Sequence, residues 1–254
     1  QILERGCFDA IFLADVVGVY GAYRGGPETS IIEEMKTPVN DSAFLIPAMD
    51  HATENLGFSF TSSVLQTHPF TFARQISTLD HLTKGRVAWN IVTSYLPNAG
   101  MNFGLGGLPP HDQRYDLADE YLDVVYKLWE GSWEDDAVLP DTERGIYADP
   151  ARVHPINHTG KSFDVAGPHL SEPSPQRTPL LFQAGSSTRG RTFAAKHSEC
   201  IFIVESRRSL SWESSVIADV RRQGARHAAI RKTFYSSWAC RPGRDRPGWP
   251  LGFH

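Results

Sequence analysis

Apolar positions along this chain follow two rhythms that take turns. One is the short run of apolar and small residues: Phe8-Asp9-Ala10-Ile11-Phe12-Leu13-Ala14, Gly57 to Ser63, Val87 to Ser94, Pro179 to Gly185 and Cys200 to Val204. Such runs read as buried strands. The other rhythm repeats every three to four residues. Pro69 to Leu82 carries Phe70, Ala73, Ile76 and Leu79 on one stripe, and Tyr115 to Trp129 carries Leu117, Tyr121, Val124, Val125 and Leu128. Both predict helices. So do Pro47 to Asn55 and Arg189 to His197, while Gln1 to Gly6 reads as a last helical turn closed by glycine.

Strands alternating with helices predict an α/β fold on a parallel sheet. A TIM (β/α)8-type barrel and an open doubly wound sheet both fit, and the lack of GxGxxG after the first strand weakens the dinucleotide-binding version. Five strands are visible where a barrel needs eight, so the barrel expected here is incomplete, with its first strand and last strands missing. Residues 131–178, after the fourth visible helix, are rich in Pro, Gly, Asp and His and read as an insertion carrying a small hairpin. From residue 206 arginines crowd the chain, from Arg207 and Arg208 to Arg244 and Arg246. That stretch reads either as a basic surface helix and tail, or as an aberrant end that supplies no barrel strand. The expected organisation is a partial barrel over 1–205, insertion included, followed by an arginine-rich tail over 206–254.

Composition narrows the partners. The 254 residues are 41% hydrophobic and 21% charged, ordinary for a soluble globular protein. A formal charge of -4 gives no electrostatic reason to expect nucleic acid or an anionic membrane. No apolar run approaches the roughly 18 residues of a membrane span. Cys7, Cys200 and Cys240 form no CxxC pair, which speaks against a zinc ribbon or disulfide framework and for a reducing, cytoplasmic setting. His154 and His158 lie four apart, but Pro155 and Asn157 between them favour a surface loop over a helical metal pair, and no metal is expected.

Ligands of parallel α/β folds bind at the carboxyl ends of the strands. That rule selects Asp15, Thr61 to Ser63, Thr93 and Ser94, Gly185 to Ser187, and Glu205. In Gln183-Ala184-Gly185-Ser186-Ser187-Thr188-Arg189-Gly190-Arg191 a strand ends in a glycine turn and two serines precede a helix, a setting that suits a phosphate monoester. Simple N-capping by Ser186 or Ser187 explains the same residues, and the two roles can coexist. Asp15 reads equally as the cap of a turn, and Tyr20 as loop packing. His111 and Tyr115 share one helical face, so they suit either a common ligand or a capping pair. His81 is either a base or a histidine at a helix end.

These residues also resemble a known family. Phe8 to Asp15, His68-Pro69-Phe70 through Ala73-Arg74, Thr78 to Leu82, Gly85 to Ser94, His111 to Tyr115 and Gln183 to Ser187 are similar, in order and spacing, to the luciferase-like flavin monooxygenases. The branch resembled is that of nitrilotriacetate monooxygenase component A, with dibenzothiophene-sulfone and long-chain alkane monooxygenases as relatives. The resemblance implies a TIM barrel that takes reduced FMN from a separate flavin reductase and uses O2 to oxygenate a small organic substrate. It further implies that Asp15, Thr61 and Ser94 lie beside the flavin ring, that His111 and Tyr115 approach the ribityl-phosphate arm, and that Ser186 and Ser187 bind the phosphate. Tyr20 would face the substrate and is the candidate catalytic residue, while Asn90 is left as a core polar residue. The complete protein is expected to be a homo-oligomer. Two other readings stand beside this one: a non-catalytic truncated remnant, motivated by the missing strands, and a related barrel oxidoreductase that uses the deazaflavin F420.

Overall fold

The chain enters through one helical turn, α1 (Ile2–Arg5), and passes into the strand β1 (Ala10–Leu13). In this computed structural model residues 1–185 and 187–202 are described, with the backbone alone of Tyr23, of 231–232 and of 238–240. After β1 come a short helix α2 (Glu28–Ile32), a second one α3 (Ile46–His51) and the strand β2 (Gly57–Ser63), every residue of which is buried. Helix α4 (Pro69–Leu82) leads to β3 (Val87–Val92), and α5 (Pro97–Asn102) leads to the long α6 (His111–Gly131).

Between α6 and the next sheet strand lie two small antiparallel ladders, β4 (Val138–Asp141) with β5 (Ile146–Ala148), and β6 (His158–Thr159) with β7 (Asp164–Val165). The main sheet resumes with β8 (Leu180–Gln183), α7 (Thr188–His197) and β9 (Cys200–Phe202). Two short pieces follow, β10 (Arg231–Lys232) and β11 (Trp238–Cys240).

β1, β2, β3, β8 and β9 pair in that order, and each pairing is parallel. β11 then runs antiparallel to β9, with β10 at the edge, so these two pieces do not continue the parallel pattern of a barrel. The rest of the expected 206–254 tail lies outside the described residues. The helices α3, α4, α6 and α7 touch in sequence, each against the next. They therefore form one layer on one face of the sheet, the arrangement of a barrel wall rather than of a doubly wound sheet. The architecture is a curled half-barrel of the α/β type.

The core lies between the sheet and this helical layer. Trp89 of β3 is fully buried, with Phe72 of α4 at 4.5 Å and Tyr121 of α6 at 5.9 Å between ring centroids. Ala73, Ile76 and Leu79 face inward as the stripe predicts, but Phe72 takes the core position next to Ala73 and Phe70 is only half-buried. Two polar anchors tie the loops to this core. The buried Asp80 carboxylate accepts the backbone N–H and the side-chain amide of Gln176, at 2.8 and 2.6 Å. Arg86 donates to the carbonyls of Leu56 and Thr83, at 2.8 and 3.1 Å, and pairs with Asp50. A buried charge persists only when paired in this way.

Cys7 is free and exposed, whereas Cys200 is disulfide-bonded, unlike the unlinked cysteines expected from their spacing. Among the described residues no helix is long and apolar enough to cross a membrane.

Candidate functional site

Parallel pairing brings the carboxyl ends of β1, β2 and β3 to one rim. Leu13 lies opposite Phe60 and Thr61 opposite Asn90, so Asp15, Thr61 and Ser94 emerge on the same side of the sheet. All three line a single cavity, open at its mouth. Its remaining wall is mixed: Val16, Val17, Val92, Leu96 and Ala99 are apolar, while Ser63, Gln66 and Tyr95 add polar atoms.

Each polar group at this rim has a defined setting. Thr61 Oγ1 accepts the Asn90 side-chain amide at 2.9 Å, which leaves the threonine hydroxyl hydrogen available. Asn90 Oδ1 is buried and lacks a protein partner among the described residues. Ser94 has a φ of 63°, in the left-handed region, and its Oγ lies 2.8 Å from Ser63 Oγ. Asp15 accepts the backbone N–H of Val16 at 2.7 Å. Burial pushes the Asp15 carboxyl up from its usual range, against the pull of that backbone bond.

Tyr20 is not part of the cavity wall. Its hydroxyl bonds to the hydroxyl of Tyr95, which is, and partial burial together with that bond pushes Tyr95 up to about 12.

A second cluster forms where the first turns of α6 and α7 meet. Ser187 caps α7, its Oγ accepting the Gly190 N–H at 3.0 Å. The same oxygen lies 3.2 Å from His111 Nε2, and His111 Nδ1 lies 2.6 Å from Asp112. Tyr115 is buried beneath, its hydroxyl 3.4 Å from Gln183 Nε2, and Gln183 Oε1 accepts the Gly185 N–H at 2.7 Å. A Cβ on Gly185 would sit 2.4 Å from Gln183 Nε2 and 2.6 Å from the Tyr115 hydroxyl, so both side chains would have to shift to admit one. Arg189 stacks over the Tyr115 ring at 5.7 Å and pairs with Asp116 and Asp119 at 2.9 and 2.6 Å. Burial raises Asp119, but hydrogen bonds from His197, Arg189 and Lys196 outweigh it and hold the carboxyl well below its usual value.

Of the eight site residues expected from the sequence, the structure thus gathers Asp15, Thr61 and Ser94 at one cavity, and His111, Tyr115 and Ser187 at one helix junction. Tyr20 reaches the cavity only through Tyr95. Ser186 lies outside the described residues, as does Glu205. His81 bonds the Glu172 carbonyl at 3.3 Å, a packing role at a helix end. His154 and His158 go to separate partners, Glu134 and Lys127.

Sequence reasoning passed over Gln66, Tyr95 and Leu96. They stand three or four residues beyond strand ends, and extending the strand-end rule into the following turn would have included them.

A model of the luciferase-like monooxygenase family matches residues 1–246. The long-chain alkane monooxygenase of Geobacillus thermodenitrificans is 61% identical over 203 residues, which are 80% of this chain and 46% of that protein. Nitrilotriacetate monooxygenase component A of Aminobacter aminovorans is 35% identical over 227 residues, 88% of this chain and 49% of that one. A crystal structure of a riboflavin lyase with modified FMN and riboflavin superposes with a TM-score of 0.79 at 41% identity, covering 86% of this chain and 48% of that one. The chain spans about half the length of the curated relatives it matches. Its parallel half-barrel, its strand-end cavity and a family match over nearly its whole length agree, and this chain belongs to the luciferase-like monooxygenase family.

Proposed function

We propose that this chain is the flavin-binding part of a two-component FMN-dependent monooxygenase, which takes reduced FMN from a separate flavin reductase and oxygenates a small organic substrate with O2. One observation carries the reading: Asp15, Thr61 and Ser94, from three adjacent strands, line one cavity. Support also comes from the family match and from the riboflavin lyase, solved with modified FMN.

The residues fit a flavin. An isoalloxazine ring is flat and apolar on its faces and polar along one edge, and this cavity pairs valine, leucine and alanine walls with serine and threonine hydroxyls. At the helix junction, Ser187, His111 and the backbone N–H groups that begin α7 would hold the phosphate.

Bound reduced flavin supplies the electrons and the reactive partner for O2. The chain's own work is threefold. Thr61, Ser94 and Asp15 would orient the ring edge, the apolar wall would exclude water, and Tyr95, bonded to Tyr20, would stand on the substrate side.

Titrating the chain with FMN and following flavin fluorescence tests this. Binding at micromolar levels, weakened by Ser186→Ala plus Ser187→Ala, is the expected result. An affinity unchanged by the double substitution removes the phosphate assignment.

A further inference from the structure

Arg114 belongs to the His111–Tyr115 run that opens α6, yet its hydrogen bonds go to the end of β3. Its Nη1 donates to the carbonyl of Thr93 at 3.2 Å and also to the carbonyl of Ser94. Successive carbonyls point to opposite sides of an extended chain, and to the same side when the residue between them is helical in either hand. Ser94, at φ 63°, is the left-handed residue that turns these two carbonyls toward one donor. A residue with a Cβ adopts that conformation at a cost, and it persists where surrounding contacts hold it. The same conformation sets Ser94 Oγ on the cavity wall, 2.8 Å from Ser63.

We propose that Arg114 is a positioning residue: by gripping both carbonyls it holds the Thr93–Ser94 turn left-handed, and so fixes the cavity wall relative to the helix start that carries His111 and Tyr115. The turn-holding part stands on geometry alone; the consequence for ligand binding rests on the flavin reading above.

The test uses the 254-residue chain as wild type, Arg114→Ala and Arg114→Lys. Without ligand, amide hydrogen exchange reads the turn through two neighbouring bonded amides: Val64, whose N–H goes to the Val92 carbonyl, and Ala99, whose N–H goes to the Leu96 carbonyl. Arg114→Ala is expected to speed both by about tenfold or more while Phe60 and Trp89 amides keep their rates, with Arg114→Lys recovering part of the loss. A uniform rise across the sheet, or no rise at Val64 and Ala99, overturns the proposal.

Titration with riboflavin and with FMN adds the ligand readout. Arg114→Ala is expected to weaken both by a similar factor, about tenfold, because the defect lies at the ring end, whereas Ser187→Ala weakens FMN alone. Wild type that binds neither flavin overturns the flavin reading, and the exchange rates then decide on Arg114 by themselves. Wild type that binds both, with Arg114→Ala unchanged for riboflavin, overturns the positioning role.

Discussion

His111 Nε2 lies 3.2 Å from Ser187 Oγ, joining the first turn of α6 to the cap of α7. His111 Nδ1 faces the Asp112 carboxylate at 2.6 Å, so one imidazole contacts both an acidic side chain of its own helix and the serine of the next. Ser187 Oγ accepts from Gly190 at the same time, so one hydroxyl serves as cap and as bridge.

Ser187→Ala therefore has two effects. Loss of the cap lowers stability by about 1 kcal/mol. Loss of a hydrogen bond to a charged phosphate costs about 1.5–3 kcal/mol, roughly ten- to a hundredfold in FMN affinity. Thermal melts and FMN titrations measure the two separately; a normal FMN affinity in a destabilised variant assigns the serine to capping alone.

Thr61→Val keeps the shape of the side chain and removes the acceptor of the Asn90 amide. Asn90 is buried and its Oδ1 already lacks a protein partner, so the whole amide becomes unsatisfied. Stability should fall by about 1–3 kcal/mol, and by much less in Thr61→Ser. Denaturant unfolding of the two variants makes the comparison, and equal midpoints would show that the hydroxyl is energetically idle.

Gly185→Ala forces a Cβ against Gln183 and the Tyr115 hydroxyl, at 2.4 and 2.6 Å. Such overpacking costs about 1–3 kcal/mol. Adding Tyr115→Phe removes one of the two clashing atoms, so the double variant should be more stable than the sum of the single effects predicts. Strict additivity would mean that the turn relaxes elsewhere.

His169 gives the chain a pH dependence. Burial, with His81 nearby, lowers it to about 4, while its Nε2 bonds Ser77 Oγ at 2.9 Å. An unfolded histidine titrates near 6.5, so between about 6.5 and 4 the unfolded chain binds the proton that the folded chain refuses. Stability is thus full above this window and is lost as pH falls through it, by up to about 3 kcal/mol. Urea unfolding from pH 7 to 4 should show the slope, and His169→Gln should flatten it; an unchanged slope in that variant assigns the effect to other groups.

Where the physics was local, the sequence revealed the structure. Helix α4 begins at Pro69 and ends at Leu82 as its stripe indicates, because an apolar stripe and a helix are one pattern at this length. The expected start of α6 at Tyr115 is four residues late, since His111 to Arg114 is a polar turn with no stripe, and the structure begins the helix at His111. The run Phe8–Ala14 yields only four strand residues, because Phe8 is exposed and β1 lies at the sheet's edge, paired with β2 alone. The glycine-rich stretch from Pro97 to Pro110 reads as a loop, yet its first six residues, Pro97–Asn102, fold as α5.

At the candidate site, the strand-end rule found Asp15, Thr61, Ser63 and Ser94, which need only topology. Arg114 escaped it. Its contact with Ser94 joins residues 20 positions apart, and the left-handed backbone there that gives Arg114 its target leaves no mark in residue type.

The most direct test is hydrogen exchange of the whole chain with and without FMN. The account predicts slower exchange at Val64 to Gln66, at Ser94 to Ala99 and at Thr188 to Arg191 together, because one ligand spans the strand-end cavity and the start of α7. Protection confined to either cluster, or to neither, contradicts it.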